Sequence, residues 1–295
     1  MEEFVCGYVA VIGRPNVGKS TLVNELLNFP LSIVTRKPQT TRHRLLGILS
    51  EGNYQVIFQD TPGILVPRYA LQKLMVESAW AVIEDADLVL LMTEPREDDF
   101  NGEAHILSGL KRAGRKVVLA VNKIDLVEKS SLLPLIGFYD RLFAFVEIVP
   151  ISALKSDGLD DLKKIIISNL PRRPPFYPPD QLTDRPQRFF AGEIIRQKVF
   201  EQFGEEIPYS VAVVIDEYKE RKDSKDYIRA TLVCERESQK PILIGRAGEA
   251  IKRLGRRARK ELERFLGKSV FIDLKVEVRK NWRKEERTIK RLGQV

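Results

Sequence analysis

Cysteine, histidine and long apolar runs are scarce in this sequence. Its 295 residues contain 2 cysteines and 2 histidines. Cys6 and Cys234 are far apart along the chain, so we expect two small core or edge residues in a reducing compartment. His43 and His105 are too few and too distant in sequence to predict a metal site. No run of about 18 apolar residues occurs, which argues against a transmembrane helix.

The first residues also lack the pattern of a signal peptide. Glu2 and Glu3 come at the start, and an apolar strand follows them directly. A signal peptide would instead carry basic residues before an apolar stretch. We therefore expect a cytoplasmic protein, with a chain long enough for two domains that each have a core.

The basic residues are unevenly distributed. Residues 1–179 contain 21 Lys and Arg and 21 Asp and Glu, whereas residues 180–295 contain 28 and 20. The net charge of +8 therefore lies entirely in the second part of the chain. This asymmetry predicts a neutral catalytic half and a half that binds polyanions.

A phosphate-binding loop follows the first predicted strand. Residues 13–20 have the sequence GRPNVGKS, which fits the pattern GxxxxGK[ST]. A β-branched apolar run precedes the loop and apolar residues at helical spacing follow it, as the motif requires. Gly13 and Gly18 allow backbone N–H groups to approach a triphosphate. We expect Lys19 to contact the β- and γ-phosphates and Ser20 to ligate Mg²⁺.

Strands and helices alternate through the first 170 residues. This pattern predicts an α/β fold of the P-loop NTPase type, with a mostly parallel sheet and helices on both faces. The suspected site residues follow the carboxyl ends of strands, where open α/β sheets bind ligands. Residues 171–186 hold 6 of the 16 prolines, which predicts a semi-rigid linker after a domain of residues 1–170.

The region after the proline-rich segment has a different order of elements. Residues 187–280 show the order α-β-β-α-α-β, which predicts an α+β domain. A long basic helix covers residues 249–266. Its predicted core face consists of Ile251, Leu254, Ala258, Leu262 and Phe265. Residues 281–295 form a strongly basic C-terminal tail.

Three further motifs follow strands of the first half. Residues 60–63, DTPG, resemble the DxxG element of GTPases, although Asp and Gly are also ordinary turn residues. Residues 122–125, NKID, are more specific. The Asp125 carboxylate can accept hydrogen bonds from the N1–H and 2-amino groups of guanine, a donor pair that adenine lacks. Residues 152–154, SAL, resemble a fifth element, in which the Ala153 N–H would meet guanine O6.

A GxxG sequence occupies residues 245–248 in the basic half. It follows an apolar run and opens the basic helix, a context that resembles a type II K-homology (KH) domain. Such a loop clamps about four nucleotides of a single strand. Because aromatic residues are scarce nearby, we expect base stacking to be a minor mode of recognition. For any single arginine, the alternative to RNA binding is that it only lies on a solvated face of the basic helix.

Together, these motifs resemble the bacterial Era GTPase family over nearly the whole chain. GRPNVGKST, PQTTRHR at residues 38–44, DTPG, NKID and SAL stand where that family places them. The resemblance implies a switch that hydrolyses GTP to GDP, requires Mg²⁺, binds the 3′ region of 16S ribosomal RNA and assists assembly of the 30S subunit. We also expect a monomer.

The resemblance also assigns site residues. The nucleotide-binding set is Gly13, Arg14, Pro15, Asn16, Val17, Gly18, Lys19, Ser20, Thr21, Asp60, Thr61, Pro62, Gly63, Asn122, Lys123, Asp125, Ser152, Ala153 and Leu154. The metal set is Ser20, Thr41 and Asp60, with Thr40 as the alternative to Thr41. The catalytic set is Lys19, Thr41, Gly63 and Asn16. The RNA-binding set is Ile244, Gly245, Arg246, Ala247, Gly248, Lys252, Arg253, Arg256 and Arg257.

Two members of the NKID motif have more specific expected roles. Lys123 would lie along the plane of the base. Asn122 would connect its own loop to the phosphate-binding loop. Both expectations concern the pocket for guanine.

One position departs from the better-known GTPases. Ile64 stands after the DxxG glycine, where Ras-like enzymes carry the glutamine that orients the attacking water. An apolar side chain cannot orient water, so we expect slow turnover of roughly 10⁻⁴ to 10⁻² per second. Arg36, Arg42 and Arg44 are candidates for an arginine finger, with solvated arginines of the switch loop as the simpler interpretation.

Asn16 suggests another source of positive charge. Related GTPases with asparagine at this position use K⁺ to balance the charge that develops on the phosphates. The resemblance thus implies K⁺ as a candidate cofactor. The alternative is that Asn16 only caps the loop.

Two other functions remain open from the sequence. The basic tail could bring the protein to the inner face of the cell membrane as a peripheral signalling GTPase, although no strong apolar helical face accompanies it. Alternatively, the protein could be an RNA chaperone whose nucleotide is structural. Both alternatives retain the nucleotide site and the basic second half.

Overall fold

The computed structural model describes residues 4–95, 100–222 and 224–295, with only the backbone described for residues 100–102. The chain divides into two compact units. The first unit holds residues up to 34, 41–67 and 75–184. The second unit holds residues 35–40, 68–74 and 185–295.

The first stretch of chain alternates between strands and helices. The elements are β1 (Val5–Gly13), α1 (Lys19–Leu27), β2 (Leu45–Glu51), β3 (Tyr54–Asp60), α2 (Ala70–Asp85), β4 (Leu88–Thr93), α3 (Phe100–Ala113), β5 (Val117–Val121), α4 (Leu132–Leu142), β6 (Glu147–Pro150) and α5 (Leu159–Ser168). The strand order in the sheet is β2-β3-β1-β4-β5-β6. All neighbours are parallel except β2 and β3. The mostly parallel sheet confirms the predicted fold class.

Helices cover both faces of this sheet. Buried residues of α2, α3 and α4 form one core cluster with alternate residues of β1, β4 and β5, among them Ile12 and Leu119. On the opposite face, α1 lies so close to β2 that a Cβ at Gly47 would be 2.6 Å from Leu27 Cδ1. The central strands are buried throughout, because both faces are covered.

The proline-rich segment predicted as a linker is packed within the first unit as far as residue 184. Gln55 is 1% exposed, and its Oε1 accepts hydrogen bonds from the N–H groups of Phe176 and Tyr177 at 2.8 and 3.0 Å. Its Nε2 donates to the Tyr177 carbonyl at 2.8 Å. The Ile48 N–H also donates to the Leu182 carbonyl at 2.8 Å. These bonds hold the segment against the strands, which a linker would not require.

The second stretch of chain forms a smaller α+β structure. Its elements are α6 (Gln187–Gln202), α7 (Ile207–Ser210), β7 (Ala212–Lys219), β8 (Asp226–Cys234), α8 (Gln239–Ile244), α9 (Glu249–Leu266), β9 (Val270–Val278) and α10 (Glu286–Arg291). The strand order is β7-β8-β9, with β7 antiparallel and β9 parallel to β8. This arrangement matches the predicted order of elements, with α7 and α10 in addition.

One face of this smaller sheet carries the core of the second unit. Helices α6 and α9 pack on it, and Leu254, Ala258 and Leu262 of α9 are 0% exposed. The core face of α9 was predicted to start at Ile251, but it starts one residue earlier. Ala250 is buried there, whereas Ile251 is only half-buried.

The basic C-terminal tail is folded. A 3₁₀ turn over Trp282–Lys284 precedes α10. Trp282 is 0% exposed, and its Nε1–H donates to the Ser210 carbonyl at 2.9 Å. Ile289 is also 0% exposed. The high density of basic residues concealed these two apolar anchors. No helix in the described part of the chain is both long enough and apolar enough to cross a membrane.

Candidate nucleotide and RNA sites

The phosphate-binding loop has the backbone geometry that its glycines predict. Gly13 has φ +147° and Gly18 has φ +101°, and a Cβ at Gly13 would lie 2.3 Å from the Met92 carbonyl oxygen. Lys19 is 5% exposed, and its ammonium donates to the carbonyls of Gly13 and Arg14 at 3.2 and 2.9 Å. Burial lowers the pKa of Lys19 to about 8, and the Asp60 carboxylate opposes this shift. The buried ammonium would be stabilised by an anion.

The predicted metal ligands lie together. Ser20 Oγ is 2.9 Å from Thr41 Oγ1 and donates to Asp60 Oδ2 at 2.7 Å. Thr40 Oγ1 instead lies 2.7 Å from Thr35 Oγ1 and donates to the Lys37 carbonyl. This geometry favours Thr41 over Thr40.

Asp60 has an environment that suits a cation. It is 0% exposed, and its Oδ1 has no hydrogen-bond partner among the described residues. Burial raises the pKa of the Asp60 carboxyl, and the hydrogen bond from Ser20 opposes this shift. Hydroxyl and carboxylate oxygens are the ligands that Mg²⁺ prefers, so the cluster fits this ion, which would supply positive charge beside the phosphates.

The NKID and SAL motifs form one connected loop system. Asn122 Nδ2 donates to the Val17 carbonyl at 2.7 Å, and Asn122 Oδ1 accepts from the Ala153 N–H at 2.9 Å. Asn122 therefore links its loop to the phosphate-binding loop, in the way the sequence predicted. Ser152 Oγ donates to Asp125 Oδ1 at 2.6 Å, which orients the exposed Asp125 carboxylate.

Two residues of this loop system with expected roles at guanine have protein partners in the structure. The Ala153 N–H, expected to meet guanine O6, donates to Asn122. Lys123, expected along the base plane, forms an ion pair with Glu94 at 2.6 Å. Glu94 follows β4 directly, and sequence patterns gave no signal for a pair between residues so far apart along the chain.

The DTPG loop is packed against the phosphate-binding loop. A Cβ at Gly63 would lie 2.6 Å from the Pro15 nitrogen, so only glycine fits there without movement. Thr61 Oγ1 donates to the Val11 carbonyl at 2.7 Å, and Pro62 is buried. Ile64 is 3% exposed and belongs to the core cluster beneath α2. Ile64 therefore contributes to packing.

The remaining residues of the nucleotide-binding set have varied environments. Asn16 is exposed with φ 67°, a left-handed conformation that asparagine tolerates well. Thr21 lies in the first turn of α1, and Leu154 is 74% exposed. Arg42 is 2% exposed, so the interpretation of all three switch arginines as solvated is wrong for this residue.

The GxxG loop also depends on its glycines. Gly245 has φ +74°, and a Cβ there would lie 2.6 Å from the Cβ of Ala250. Ala247 and Gly248 have φ 51° and 78°, and α9 begins directly after them. Ile244 ends α8 on the other side of the loop. The loop thus presents its backbone between two helices.

The basic residues predicted to bind RNA lie on the solvent side of α9 and the loop. Arg246, Lys252, Arg253 and Arg256 are exposed. Arg257 is paired with Glu201 of α6 at 2.6 Å, so part of its charge is neutralised. The four exposed cations are the better candidates for phosphate contacts.

Sequence reasoning missed a groove beside this basic surface. The groove has a volume of about 410 Å³ and lies between α9 and β9. Its lining includes Ile251, which was assigned to the core, and Phe271, which was not considered. The alternation of β9 was a usable signal only for the exposure of Phe271, since it places Phe271 on the face opposite to Val270 and Ile272.

Comparisons with known proteins agree with this geometry. Residues 8–123 match the family described as 50S ribosome-binding GTPase, and residues 206–283 match the KH domain family. GTPase Era of Geotalea uraniireducens is 45% identical over 292 residues, covering 99% of this chain and 98% of the relative. The chain belongs to the Era family of GTPases. Its relative from Geobacter metallireducens is 46% identical over 291 residues, covering 98% of each chain.

Solved structures of Era extend the similarity to the fold. An Aquifex aeolicus Era variant bound to GDP and AlF₄⁻ is 40% identical, with a TM-score of 0.94, and covers 99% of this chain and 100% of its own. A structure of Era with MgGDPNP and nucleotides 1506–1542 of 16S ribosomal RNA has the same identity and TM-score, with 99% of both chains covered.

Proposed function

We propose that this Era-family GTPase binds the 3′ region of 16S ribosomal RNA in a manner set by its nucleotide, and that it assists assembly of the 30S subunit. The observation that carries the proposal is the near end-to-end similarity to an Era solved with MgGDPNP and 16S nucleotides. The local geometry of both sites supports it. The enclosed phosphate-binding loop and the open GxxG loop suit a nucleotide and a polymer respectively.

The nucleotide site is suited to GTP. Lys19 and the positive end of α1 would balance the triphosphate charge. Ser20, Thr41 and Asp60 would hold Mg²⁺, directly or through water. The Asp125 carboxylate, oriented by Ser152, would accept from guanine N1–H and the 2-amino group. Thr41 lies in the segment before β2. Because Thr41 would be held by the Mg²⁺ beside the γ-phosphate, loss of the γ-phosphate would release that segment.

Slow hydrolysis follows from the residues near the DTPG loop. Ile64 is buried in the core, and the DTPG loop offers no glutamine at that position. The attacking water would therefore lack the side chain that orients it in Ras-like enzymes. We expect single-turnover hydrolysis to be slow until a partner or a cation contributes to the site.

Asn16 is our candidate for binding that cation, K⁺. The Asn16→Gly variant is the matched test, because glycine keeps the left-handed backbone and removes only the side chain. We expect wild-type hydrolysis to be faster in KCl than in NaCl, and the variant to lose this difference. Equal rates for the wild type in the two salts would contradict the proposal.

Filter binding of the 3′-terminal fragment of 16S RNA tests the main proposal. We expect higher affinity with a GTP analogue than with GDP, and weaker binding to a scrambled RNA of the same length and composition. Indistinguishable affinities in the two nucleotide states would contradict the coupling. Equal affinity for the scrambled RNA would contradict the proposed specificity.

A structural role for the nucleotide makes a different prediction. If the protein were an RNA chaperone with a fixed nucleotide, proteolysis within residues 36–44 would be the same with GDP and with a GTP analogue. The switch predicts protection by the analogue, because Thr41 would be held at the metal. Limited proteolysis with trypsin measures this directly, since Arg36, Arg42 and Arg44 lie in that segment.

Peripheral membrane contact is the weaker candidate for the basic tail. Trp282 and Ile289 are buried within the second unit, so these apolar side chains are not available to lipid. Any membrane contact would then depend on charge and would disappear at high salt. Co-sedimentation with anionic and neutral liposomes separates this contribution from RNA binding.

A further inference from the structure

A buried serine lies beside the candidate metal ligands, outside the motifs that the sequence shows. Ser32 comes shortly after α1 and is 6% exposed. We propose that the Ser32 hydroxyl is a further part of the Mg²⁺ site, where it orients, together with Asp60, a water ligand of the ion. The inference rests on the Mg²⁺ binding proposed above and adds a positioning residue to Ser20, Thr41 and Asp60.

The main chain of Ser32 is fixed on helix α1. Asn24 Oδ1 accepts a hydrogen bond from the Ser32 N–H, and Asn24 Nδ2 donates one to the Ser32 carbonyl, both at 2.8 Å. Asn24 and Ser20 are four residues apart on α1, so they lie on the same side of the helix. Asn24 therefore holds Ser32 on the side of α1 that carries Ser20, and the Ser32 hydroxyl remains available for another partner.

Two buried oxygen atoms at this place have no hydrogen-bond partner among the described residues. They are Ser32 Oγ and Asp60 Oδ1. Burial raises the pKa of the Asp60 carboxyl, and the hydroxyls of Ser20 and Ser32 oppose this shift. The Ser32 hydroxyl therefore lies beside the carboxylate, although no direct hydrogen bond joins Ser32 Oγ to Asp60 Oδ1. Because unpaired buried polar atoms are unfavourable, a shared partner would stabilise both oxygen atoms.

A water ligand of Mg²⁺ suits these two oxygen atoms. Mg²⁺ loses its hydration waters reluctantly and usually keeps several of them in protein sites. A water bound through its oxygen has two hydrogen atoms to donate, and Asp60 Oδ1 and Ser32 Oγ can each accept one. Two acceptors would fix the orientation of that water, whereas Asp60 alone would let it rotate.

A role at the metal and a role in packing predict different effects when the hydroxyl is removed. In the absence of Mg²⁺, the Ser32 hydroxyl has no partner among the described residues, so its loss should not destabilise the fold. In the presence of Mg²⁺, its loss would remove a hydrogen bond to a ligand of the ion. Such bonds typically raise metal affinity by about 10- to 100-fold. A packing role would instead lower stability with or without the metal.

The test compares the full chain with its Ser32→Ala and Ser32→Cys variants. Alanine removes the oxygen, and cysteine keeps a side chain of similar shape that is only a weak acceptor. The release of a fluorescent GDP is measured against free Mg²⁺ concentration, with EDTA as the metal-free end point, and thermal unfolding is measured in EDTA. Ser210→Ala is the matched control, because Ser210 is also buried but its hydroxyl donates to the Ile207 carbonyl at 3.0 Å.

We expect Mg²⁺ to slow GDP release from the wild type, and both Ser32 variants to need about tenfold more Mg²⁺ for the same effect. In EDTA, both variants should release GDP at the wild-type rate and unfold at no lower temperature. Ser210→Ala should show the reverse pattern, with the wild-type response to Mg²⁺ and a lower unfolding temperature.

Three results would overturn the inference. They are a wild-type response to Mg²⁺ in Ser32→Ala, restoration of that response by Ser32→Cys, and a lower unfolding temperature of the Ser32 variants in EDTA. In each case the Mg²⁺ site of Ser20, Thr41 and Asp60 would stand. If Mg²⁺ had no effect on GDP release from the wild type, the proposed Mg²⁺ site and this inference would both fail.

Discussion

The two glycine loops of this protein begin helices in the same way but lie in opposite environments. Gly18 precedes α1 with φ 101° and ψ 19°, and Gly248 precedes α9 with φ 78° and ψ 13°. Each left-handed glycine turns the chain into the helix and leaves unpaired N–H groups at its positive end. Both loops can therefore receive phosphate oxygens.

Their surroundings differ. A Cβ at Gly18 would lie 2.2 Å from Asn122 Nδ2, whereas the nearest described atom to a Cβ at Gly248 is Lys252 Cε at 3.9 Å. Lys19 is 5% exposed, while Arg246 and Lys252 are exposed. An enclosed loop selects one small ligand by shape and buried charge. An open loop accepts a strand of any length and depends on screened surface charge.

Gly18→Ala should have the largest effect on this comparison. The added methyl would displace Asn122, which bonds the Val17 carbonyl and the Ala153 N–H. Leaving such buried groups unpaired costs about 1–3 kcal/mol each. We expect affinity for GDP to fall by roughly a hundredfold or more, measured by isothermal titration. Gly114→Ala is the control, because its φ is +62° but no atom lies within 4 Å of the added Cβ; an equal loss there would contradict the steric argument.

Gly245→Ala should have the next largest effect, and on RNA binding alone. Its Cβ would lie 2.6 Å from Ala250 Cβ and 2.8 Å from the Ala250 nitrogen, so the loop must move. Gly248→Ala, with free space, should cost only the left-handed strain of about 1–2 kcal/mol. Filter binding should therefore rank wild type above Gly248→Ala and Gly248→Ala above Gly245→Ala, with GTP hydrolysis unchanged in both variants. The reverse order would show that contact space is not what requires Gly245.

Lys252→Ala should have the smallest effect, which should be seen mainly in the salt dependence of RNA affinity. One lost phosphate contact lowers the dependence of log K on log salt by about 0.7 for a single strand. We expect RNA affinity to fall a few-fold at low salt and to converge with wild type as salt rises. Lys260→Ala, exposed on the same helix but outside the groove lining, should keep the wild-type slope. GDP affinity should vary much less with salt, because Lys19 is buried.

Local patterns predicted most of the fold and the centre of the nucleotide site. The alternation of strands and helices through the first 170 residues predicts the mostly parallel sheet, and the order of elements in residues 187–280 predicts the smaller α+β structure. The phosphate-binding loop was predictable because all of its residues are consecutive. Asn122 could be assigned because its motif has a fixed geometry relative to that loop.

Contacts between distant residues were not predictable. The ion pair of Lys123 with Glu94 and the burial of Trp282 depend on which segments the fold brings together. The packing of the proline-rich segment was not predictable, because proline content indicates local stiffness and gives no information about a contact with a distant residue such as Gln55. Ile251 and Ala250 both fit an amphipathic helix, and only the packing of α9 distinguishes them.

The contacts of Gln55 indicate where this chain can be divided. A fragment that ends at residue 170 would remove the Phe176 and Tyr177 backbone groups that pair with the buried amide. A fragment that ends at residue 184 would keep them, together with the Leu182 carbonyl that pairs with β2. The proline-rich segment therefore completes the nucleotide-binding fold through its contacts with the strands. A separately expressed GTPase portion should include it.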